Sequence, residues 1–209
     1  MPALVLGSGI TALGVMRCLG AHSTPTFVVT DSPGCLRASR WFRPLGDRAL
    51  TPGSTSVEDL LRGLDLPGAV LFPCSDETVL AVSALPADLA ERFPASVPPL
   101  ASTRSLVDKG ELARLLAEAG IPHPCTARLR TPDDLDGLED VISGGAFLKP
   151  VQSQAFFRAF HCKGFPVDDV ASARRHLERA LAQGFEMVLQ ELVPGPAANQ
   201  VCVDGFVDR

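Results

Sequence analysis

The residues of this chain that most directly indicate chemistry are its three lysines, Lys109, Lys149 and Lys163. The other sixteen cationic residues are arginines, and all three lysines lie in one stretch of the second half. A lysine ammonium is a compact charge on a flexible stem, which suits phosphate oxygens. Codon bias would explain the excess of arginine, but it would not explain why the three lysines lie in one stretch. The pattern therefore predicts that two of them, Lys109 and Lys149, contact phosphate.

Length and composition set the class of protein. With 209 residues, 46% hydrophobic and 21% charged, the chain has the composition of a soluble globular protein of one large or two small domains. A net charge of -5 and scattered arginines give no general attraction to nucleic acid or to an anionic membrane. No apolar stretch approaches the ~20 residues that span a bilayer. We expect a cytoplasmic protein without nucleic-acid or membrane partners.

The cysteines argue against a metal or disulfide framework. They lie far apart and form no C-x-x-C pair. We predict that most of them are small buried residues in a reducing compartment, and we assign no metal ligand in this chain. The six are Cys18, Cys35, Cys74, Cys125, Cys162 and Cys202.

The first half alternates predicted strands with predicted helices, which is typical of a parallel sheet with right-handed crossovers. The strands are predicted at 3–6, 26–30 and 69–72, and the helices at 9–19, 57–64 and 77–84. We therefore expect a Rossmann-like domain over 1–100, ended by a proline-rich stretch. A helix capped by Ser102 or Thr103 and running to Ala119 then forms a connector over 101–126.

The second half has a different order of predicted strands and helices, which indicates a small α+β unit with an antiparallel sheet over 127–193. Its first strand is predicted at 146–149 and is followed by a second strand or hairpin partner at 155–165. A helix at 170–183 and a strand at 187–190 complete the unit. A further strand is predicted at 200–203, in a region 194–209 that would begin another subdomain. Because a domain seldom ends within such a pattern, we expect the fold to be completed by residues beyond Arg209.

A glycine turn follows the first predicted strand. The segment from Gly7 to Ala12 fits G-x-G-x-x-A, and Asp31 closes the second strand. In dinucleotide-binding folds such a turn brings the backbone and a helix N-terminus to a pyrophosphate. Many doubly wound domains use the same turn for packing or for another ligand. An NAD(P)-binding oxidoreductase domain based on Gly7, Gly9 and Asp31 is therefore one alternative.

A polar segment follows the third predicted strand. Ligands of open α/β sheets bind at the carboxyl ends of the strands. Ser75, Asp76 and Glu77 are therefore candidate substrate contacts, together with Gly9 and Asp31 at the ends of the other strands. Ser75 or Asp76 would also cap the next helix, where the helix dipole favours Glu77. The two roles are compatible.

Two further segments fit a nucleotide. Lys149 ends an apolar run and is followed by the polar turn at 152–154, whose N–H groups and small hydroxyls suit phosphates. Gln190 and Glu191 end a later strand, where backbone N–H and C=O groups suit an adenine edge. The order of these segments after Lys109 indicates one nucleotide site.

In the order of these segments and in their local sequence, the chain resembles the ATP-grasp carboxylate–amine ligases over nearly all of its length. The resemblance rests on the glycine turn and on the segments 73–77, 107–109, 147–150 and 189–195. It implies a Rossmann-like N-terminal domain, a small lid subdomain and a larger C-terminal subdomain, with ATP held between the last two. It also implies phosphate contacts, a loop over the phosphates and an adenine-contacting hinge. The implied ATP contacts are Lys109, Lys149, Ser153, Gln154, Gln190, Glu191 and Val193.

The chain departs from the family pattern in three respects. Its phosphate loop is Gln/Ser rather than glycine-rich, as in the branch that includes D-aspartate ligase-like proteins. The segment 197–200 lacks the acidic residue that contacts the ribose. The ligands for Mg²⁺ would lie past Arg209. Because the phosphates are poorly neutralised without the metal, we expect a truncated N-terminal part of a ligase that is inactive alone.

The activity implied by the resemblance is ATP-dependent ligation. A carboxylate is activated as an acyl-phosphate and attacked by an amine, and no residue of this chain is assigned a covalent catalytic role. The implied partners are these two small molecules, and an unpaired sheet edge would favour oligomers. A non-catalytic nucleotide-binding or interaction module is the second alternative, favoured if Arg209 is the natural terminus.

Overall fold

The computed structural model describes residues 1–45, 56–151 and 153–203. The chain divides into two compact units, Met1–Val107 and Asp108–Arg209. A parallel three-stranded sheet forms the first and an antiparallel four-stranded sheet forms the second, which confirms the predicted mixed α/β class. None of the helices in the described ranges combines the length and the apolar character that crossing a bilayer requires.

Three parallel strands form the sheet of the first unit, in the spatial order second, first, third. They are β1 (Ala3–Leu6), β2 (Thr26–Val29) and β3 (Val70–Pro73). The helices of this unit are α1 (Gly9–Ala21), α2 (Val57–Arg62), α3 (Asp76–Ser83), α4 (Ala87–Arg92) and α5 (Leu100–Val107). All four residues of the central strand β1 are buried, as expected for a parallel sheet that is covered on both faces.

Alternate residues of β1 supply two separate cores, because successive side chains of a strand point to opposite faces. Leu4 and Leu6 belong to a cluster with residues of α2, α3 and α4. Val5 packs with Met16 of α1 and with Leu36, which lies in a short 3₁₀ helix at Gly34–Ala38. The first unit therefore has helical layers on both sides of its sheet.

The second unit is built on four antiparallel strands. They are β4 (Thr126–Leu129), β5 (Ala146–Pro150), β6 (Phe165–Val167) and β7 (Met187–Glu191), in the spatial order β4-β7-β5-β6. The helices are α6 (Lys109–Glu118), α7 (Glu139–Ser143), α8 (Ser153–Phe160) and α9 (Val170–Leu181). Leu148 and Leu189 pack with Leu177 of α9 in one core, so that α9 covers one face of the sheet.

The prediction of one helix over 102–119 is wrong. The structure has two helices, α5 and α6, on either side of Asp108. The Asp108 carboxylate accepts hydrogen bonds from the amides of Gly110, at 2.9 Å, and Glu111, at 3.1 Å. This is the arrangement of an N-cap, which begins a new helix. Thr103 lies buried inside α5 and caps nothing.

The prediction of a strand or hairpin partner over 155–165 is also wrong, because residues up to Phe160 belong to the helix α8. Phe156 and Phe160 are one helical turn apart and stack with their ring centroids 4.4 Å apart. Phe156 is fully buried. Phenylalanine favours strands in general, but a spacing of four places both rings on one face of a helix. Within the segment 155–165, only Phe165 lies in a strand.

Two smaller predictions fail as well. Residues 200–203 form no strand, and both valines there are largely exposed. The cysteines are not buried either. Cys74 and Cys162 are partly buried and the other four are exposed, because they lie on an outward helix face, as Cys18 does, or in connecting segments, as Cys125 does.

Candidate functional site

One face of the four-stranded sheet carries polar side chains instead of a core. Thr126 of β4 is opposite Gln190 of β7, and Gln190 is opposite Phe147 of β5. Residues that are directly opposite each other share a face of the sheet. Lys149, two positions after Phe147, lies on the same face. Leu148, between them, points into the core.

A chain of hydrogen bonds orients the polar groups on this face. The Thr126 hydroxyl donates to the carbonyl of Pro124 at 2.9 Å, so its oxygen accepts from Nε2 of Gln190 at 3.1 Å. Oε1 of Gln190 then faces Lys149 and accepts from its ammonium at 2.5 Å. A neutral amide therefore orients the ammonium group of Lys149.

Lys109 is placed by the cap of its own helix. It is the first residue of α6, directly after the capping residue Asp108. Its ammonium donates to Oγ of Ser153, at 3.1 Å, and to the carbonyl of Val151, at 3.4 Å. Asp108 in turn forms an ion pair with Arg128 of β4 at 3.1 Å, so the start of α6 is fixed to the sheet.

A cavity of about 590 Å³ lies in the second unit and brings the three lysines together. It is lined by Lys109, Phe147, Lys149, Ser153, Phe157 and Lys163. Among the residues that the structure describes, no carboxylate forms an ion pair with any of the three ammonium groups. The cavity is therefore cationic and fits an anion.

Lys163 was not assigned to the site from the sequence. It lies in the turn between α8 and β6, directly before Gly164. A Cβ on Gly164 would lie 2.3 Å from the carbonyl oxygen of Leu148 and 2.7 Å from the ring of Phe147. Glycine therefore lets the turn pack closely on β5. The Lys-Gly pair ahead of a strand is the signal that the sequence offered for this residue.

The electrostatics of the cavity show most clearly at Lys149. Its pKa lies below the ordinary value of a lysine, first because burial removes water from the charge and second because Lys109 repels it. A perturbed lysine in a cavity is a typical functional group. An anion bound between the two lysines would relieve both effects.

The end of β7 presents backbone groups next to this face. The Glu191 amide donates to the carbonyl of Cys125 at 2.8 Å, and the Glu191 carboxylate accepts from the amide of Cys125 at 2.9 Å. The Leu192 amide donates to the carbonyl of Gly145 at 3.0 Å. Val193 is 63% exposed, and its amide has no hydrogen-bond partner within the described ranges. Gln190 thus faces the polar side of the sheet, while Glu191 stabilises the edge beside β4.

The predicted phosphate loop differs in conformation. Ser153 and Gln154 are the first two residues of α8, and the hydroxyl of Ser153 accepts from Lys109. Gln152 and the side chain of Gln154 lie outside the described part of the chain. Ser153 therefore lines the cavity from the start of a helix instead of from the predicted loop, and its contact with ATP stays a prediction.

The predicted substrate contacts lie in the first unit, at the carboxyl ends of its parallel strands. Gly9 begins α1 after β1, and Asp31 is exposed after β2. After β3, Oγ of Ser75 accepts from the amide of Thr78 at 3.2 Å and forms a capping box with it. The capping role of Ser75 is confirmed. Asp76 and Glu77 occupy the first turn of α3 and remain substrate candidates, as do Gly9 and Asp31.

Neither a protein-family model nor a curated protein matches the sequence. Solved structures do match the fold. N5-carboxyaminoimidazole ribonucleotide synthetase from Thermus thermophilus has a TM-score of 0.59 and 18% identity, covering 92% of this chain and 47% of the other. An L-amino acid ligase from Bacillus licheniformis has a TM-score of 0.59 and 18% identity, covering 94% and 45%. An ATP-grasp RimK domain protein from Sphaerobacter thermophilus has a TM-score of 0.57 and 18% identity, and the match covers 94% of this chain and 66% of the other.

The chain has the fold of the N-terminal part of ATP-grasp carboxylate–amine ligases. It spans about half of the length of most of these structures. The matching structures solved with ADP include N5-carboxyaminoimidazole synthase from Aspergillus clavatus, which also holds 5-aminoimidazole ribonucleotide, and the corresponding synthetase from Staphylococcus aureus. At these levels of identity the likeness is one of fold.

Proposed function

We propose that the lysine cavity of the second unit binds the phosphates of ATP, and that the chain serves an ATP-dependent ligase that joins a carboxylate to an amine. The single observation that carries this proposal is the cavity itself, where the three lysines of the chain meet without a carboxylate partner in the described ranges. The fold that this chain shares with ADP-bound ATP-grasp structures supports a nucleotide as the anion.

The proposed roles follow from charge and reach. Lys109, Lys149 and Lys163 neutralise the phosphate oxygens, and the hydroxyl of Ser153 supplies a neutral donor at the same point. The exposed backbone after Gln190, including the Val193 amide, suits the edge of adenine. Side chains of this chain act by binding and positioning, so that ATP and an acid are held for in-line attack.

The proposed reaction has two steps. A carboxylate oxygen of the substrate attacks the γ-phosphorus of ATP, the bond to the bridging oxygen breaks, and ADP leaves with the electron pair. The amine nitrogen then attacks the acyl carbon, phosphate leaves, and the nitrogen loses a proton. The lysines would stabilise the negative charge that moves to the leaving oxygens.

Mg²⁺ is part of this proposal only through the resemblance. The described residues contain no group of three His, Cys, Asp or Glu that could hold a metal ion, so we assign no step of the reaction to one. The carboxyl edge of the parallel sheet, with Asp31, Asp76 and Glu77, is the proposed contact for the small-molecule substrates. That the chain is inactive by itself stays a prediction.

Calorimetric titration of the chain with ATP, ADP and NAD tests the nucleotide site. We expect ATP and ADP to bind, and we expect Lys149→Ala and Lys109→Ala each to weaken binding by about tenfold or more, since each removes a charge-assisted contact. Arg175→Ala is the matched control, because it removes a positive charge from an exposed position of α9 on the opposite face of the sheet. Binding of NAD in preference to ATP, unaffected by either lysine variant, would contradict the proposal.

A further inference from the structure

Another cavity, which is separate from the proposed ATP site, lies in the first unit. This groove has a volume of about 580 Å³ and lies between α1 and the segment that follows β2. Leu13 and Arg17, one turn apart on α1, form one wall. Cys35, Arg40 and Trp41 are part of the other. The groove belongs wholly to the first unit, whereas the lysine cavity belongs to the second.

Trp41 is held in place by a close approach to α1. A Cβ on Gly20 would lie 2.4 Å from Cγ and Cδ1 of the indole, so glycine is what allows the ring to lie against the end of the helix. The backbone amide of Trp41 donates to Oγ of Ser39 at 3.4 Å. The ring is only partly buried and also lines a smaller cavity of about 300 Å³ that includes Arg43. A fixed aromatic surface is thus presented to the groove.

The groove is cationic in a protein that is acidic as a whole. Residues 1–45 contain four arginines and one acidic residue, Asp31, whereas the whole chain has a net charge of -5. The guanidinium of Arg40 lies 4.2 Å from the centroid of the Trp41 ring. Neither Arg17 nor Arg40 forms an ion pair with a residue in the ranges that the structure covers. Two guanidinium groups without a carboxylate partner in those ranges therefore lie at an aromatic ring, and that of Arg40 rests on the ring itself.

We propose that this groove binds a small organic phosphate with a planar ring, of about the size of a mononucleotide. Guanidinium groups match phosphate oxygens with paired hydrogen bonds, and the indole face stacks with a planar ring. The volume of this open groove is within the range of small-molecule sites. Arg17 and Arg40 bind the phosphate, and Trp41 binds the ring.

The composition of the chain supplies a specific reporter. Trp41 is its only tryptophan, and there is no tyrosine, so fluorescence excited selectively at tryptophan reports on the surroundings of this one ring, and the arginine variants assign the signal to the groove. The probe is AMP, with inorganic phosphate and adenosine as its two separate halves. We expect AMP to quench the fluorescence saturably and each half to bind at least about tenfold more weakly. Arg17→Ala and Arg40→Ala are expected to raise the Kd for AMP by about tenfold.

Two controls separate this proposal from the ATP site. Lys149→Ala and Arg175→Ala should leave the Kd that Trp41 reports unchanged, whereas Lys149→Ala is expected to weaken ATP binding in the second unit by about tenfold or more. The apparent Kd is compared rather than the signal amplitude, because Arg40→Ala changes the surroundings of the ring directly. Absence of saturable quenching, adenosine binding as tightly as AMP, or a Kd insensitive to both arginine variants would overturn the proposal. So would loss of the signal in Lys149→Ala.

Discussion

The ammonium of Lys149 lies 2.5 Å from Oε1 of Gln190 on the neighbouring strand. A glutamine orients a lysine without neutralising it, whereas an acid in the same place would form an ion pair. Partial burial, and after it the neighbouring charge of Lys109, lower the pKa of Lys149. The arrangement keeps a positive charge fixed and available at the cavity, which costs stability and is typical of binding sites.

Replacing this neutral partner by an acid should therefore impair binding without harming the fold. In Gln190→Glu the new carboxylate pairs with Lys149, raises its pKa and repels phosphate. We expect the affinity for ATP to fall by about tenfold or more, while the thermal midpoint stays equal or rises. Calorimetry and thermal unfolding measure the two quantities. Gln183→Glu, the same change at an exposed position after α9, should alter neither; an unchanged affinity in Gln190→Glu would contradict the role of Lys149.

The lowered pKa of Lys149 predicts that nucleotide binding depends on pH. Phosphate favours the charged form and raises this pKa, so binding takes up a proton at alkaline pH. The affinity should therefore fall as the pH rises through the pKa of Lys149 in the free protein. Calorimetry in two buffers of different ionisation enthalpy measures the proton uptake. Lys149→Arg, whose guanidinium stays charged, should remove the uptake, and persistence of the uptake in that variant would assign it to another group.

The capping residue Asp108 should matter for both stability and binding. Asp108→Ala removes two cap hydrogen bonds and the ion pair to Arg128, with an expected loss of about 1–2 kcal/mol in the free energy of unfolding. Because Lys109 follows the cap directly, ATP binding should weaken as well. Asp169→Ala is the matched control, since it removes the cap of α9 at a comparable cost but leaves the lysines in place. Urea unfolding and calorimetry separate the two outcomes, and equal loss of ATP binding in both variants would point to general destabilisation.

Two adjacent phenylalanines of α8 should have opposite roles. Phe156 is fully buried among Phe160, Phe165 and Phe185, so Phe156→Ala should cost about 3–5 kcal/mol in urea unfolding. Phe157 is 48% exposed and lines the lysine cavity. Phe157→Ala should therefore change stability by less than about 1 kcal/mol and weaken ATP binding. A large loss of stability in Phe157→Ala would show that α8 packs differently.

The sequence predicted the fold where a single local pattern determined an element. The glycine turn after β1 and the strands β2, β3, β5 and β7 were found from apolar runs and their breakers, and so was α9. The strand β4 was missed because its residues, including Arg128, carry the polar face and do not form an apolar run. The helix α8 was missed because aromatic content favoured a strand, whereas burial of Phe156 and Phe160 on one side decided for a helix.

The site was predictable by residue type but not in its three-dimensional arrangement. Lys109 and Lys149 followed from the scarcity of lysine, and both lie at the cavity. Lys163 joins them only because Gly164 packs the turn against β5, a contact between segments that no local pattern shows. The link from Lys149 to Gln190 likewise depends on the pairing of β5 with β7.

A crystal structure of the chain with ADP would test the central claim most directly. We predict that the phosphates lie in the second unit, within hydrogen-bond distance of Lys149 and of Lys109 or Lys163, with adenine beside the backbone that follows Gln190. ADP bound instead at the glycine turn between Gly7 and Gly9, with the lysine cavity free of phosphate, would contradict it.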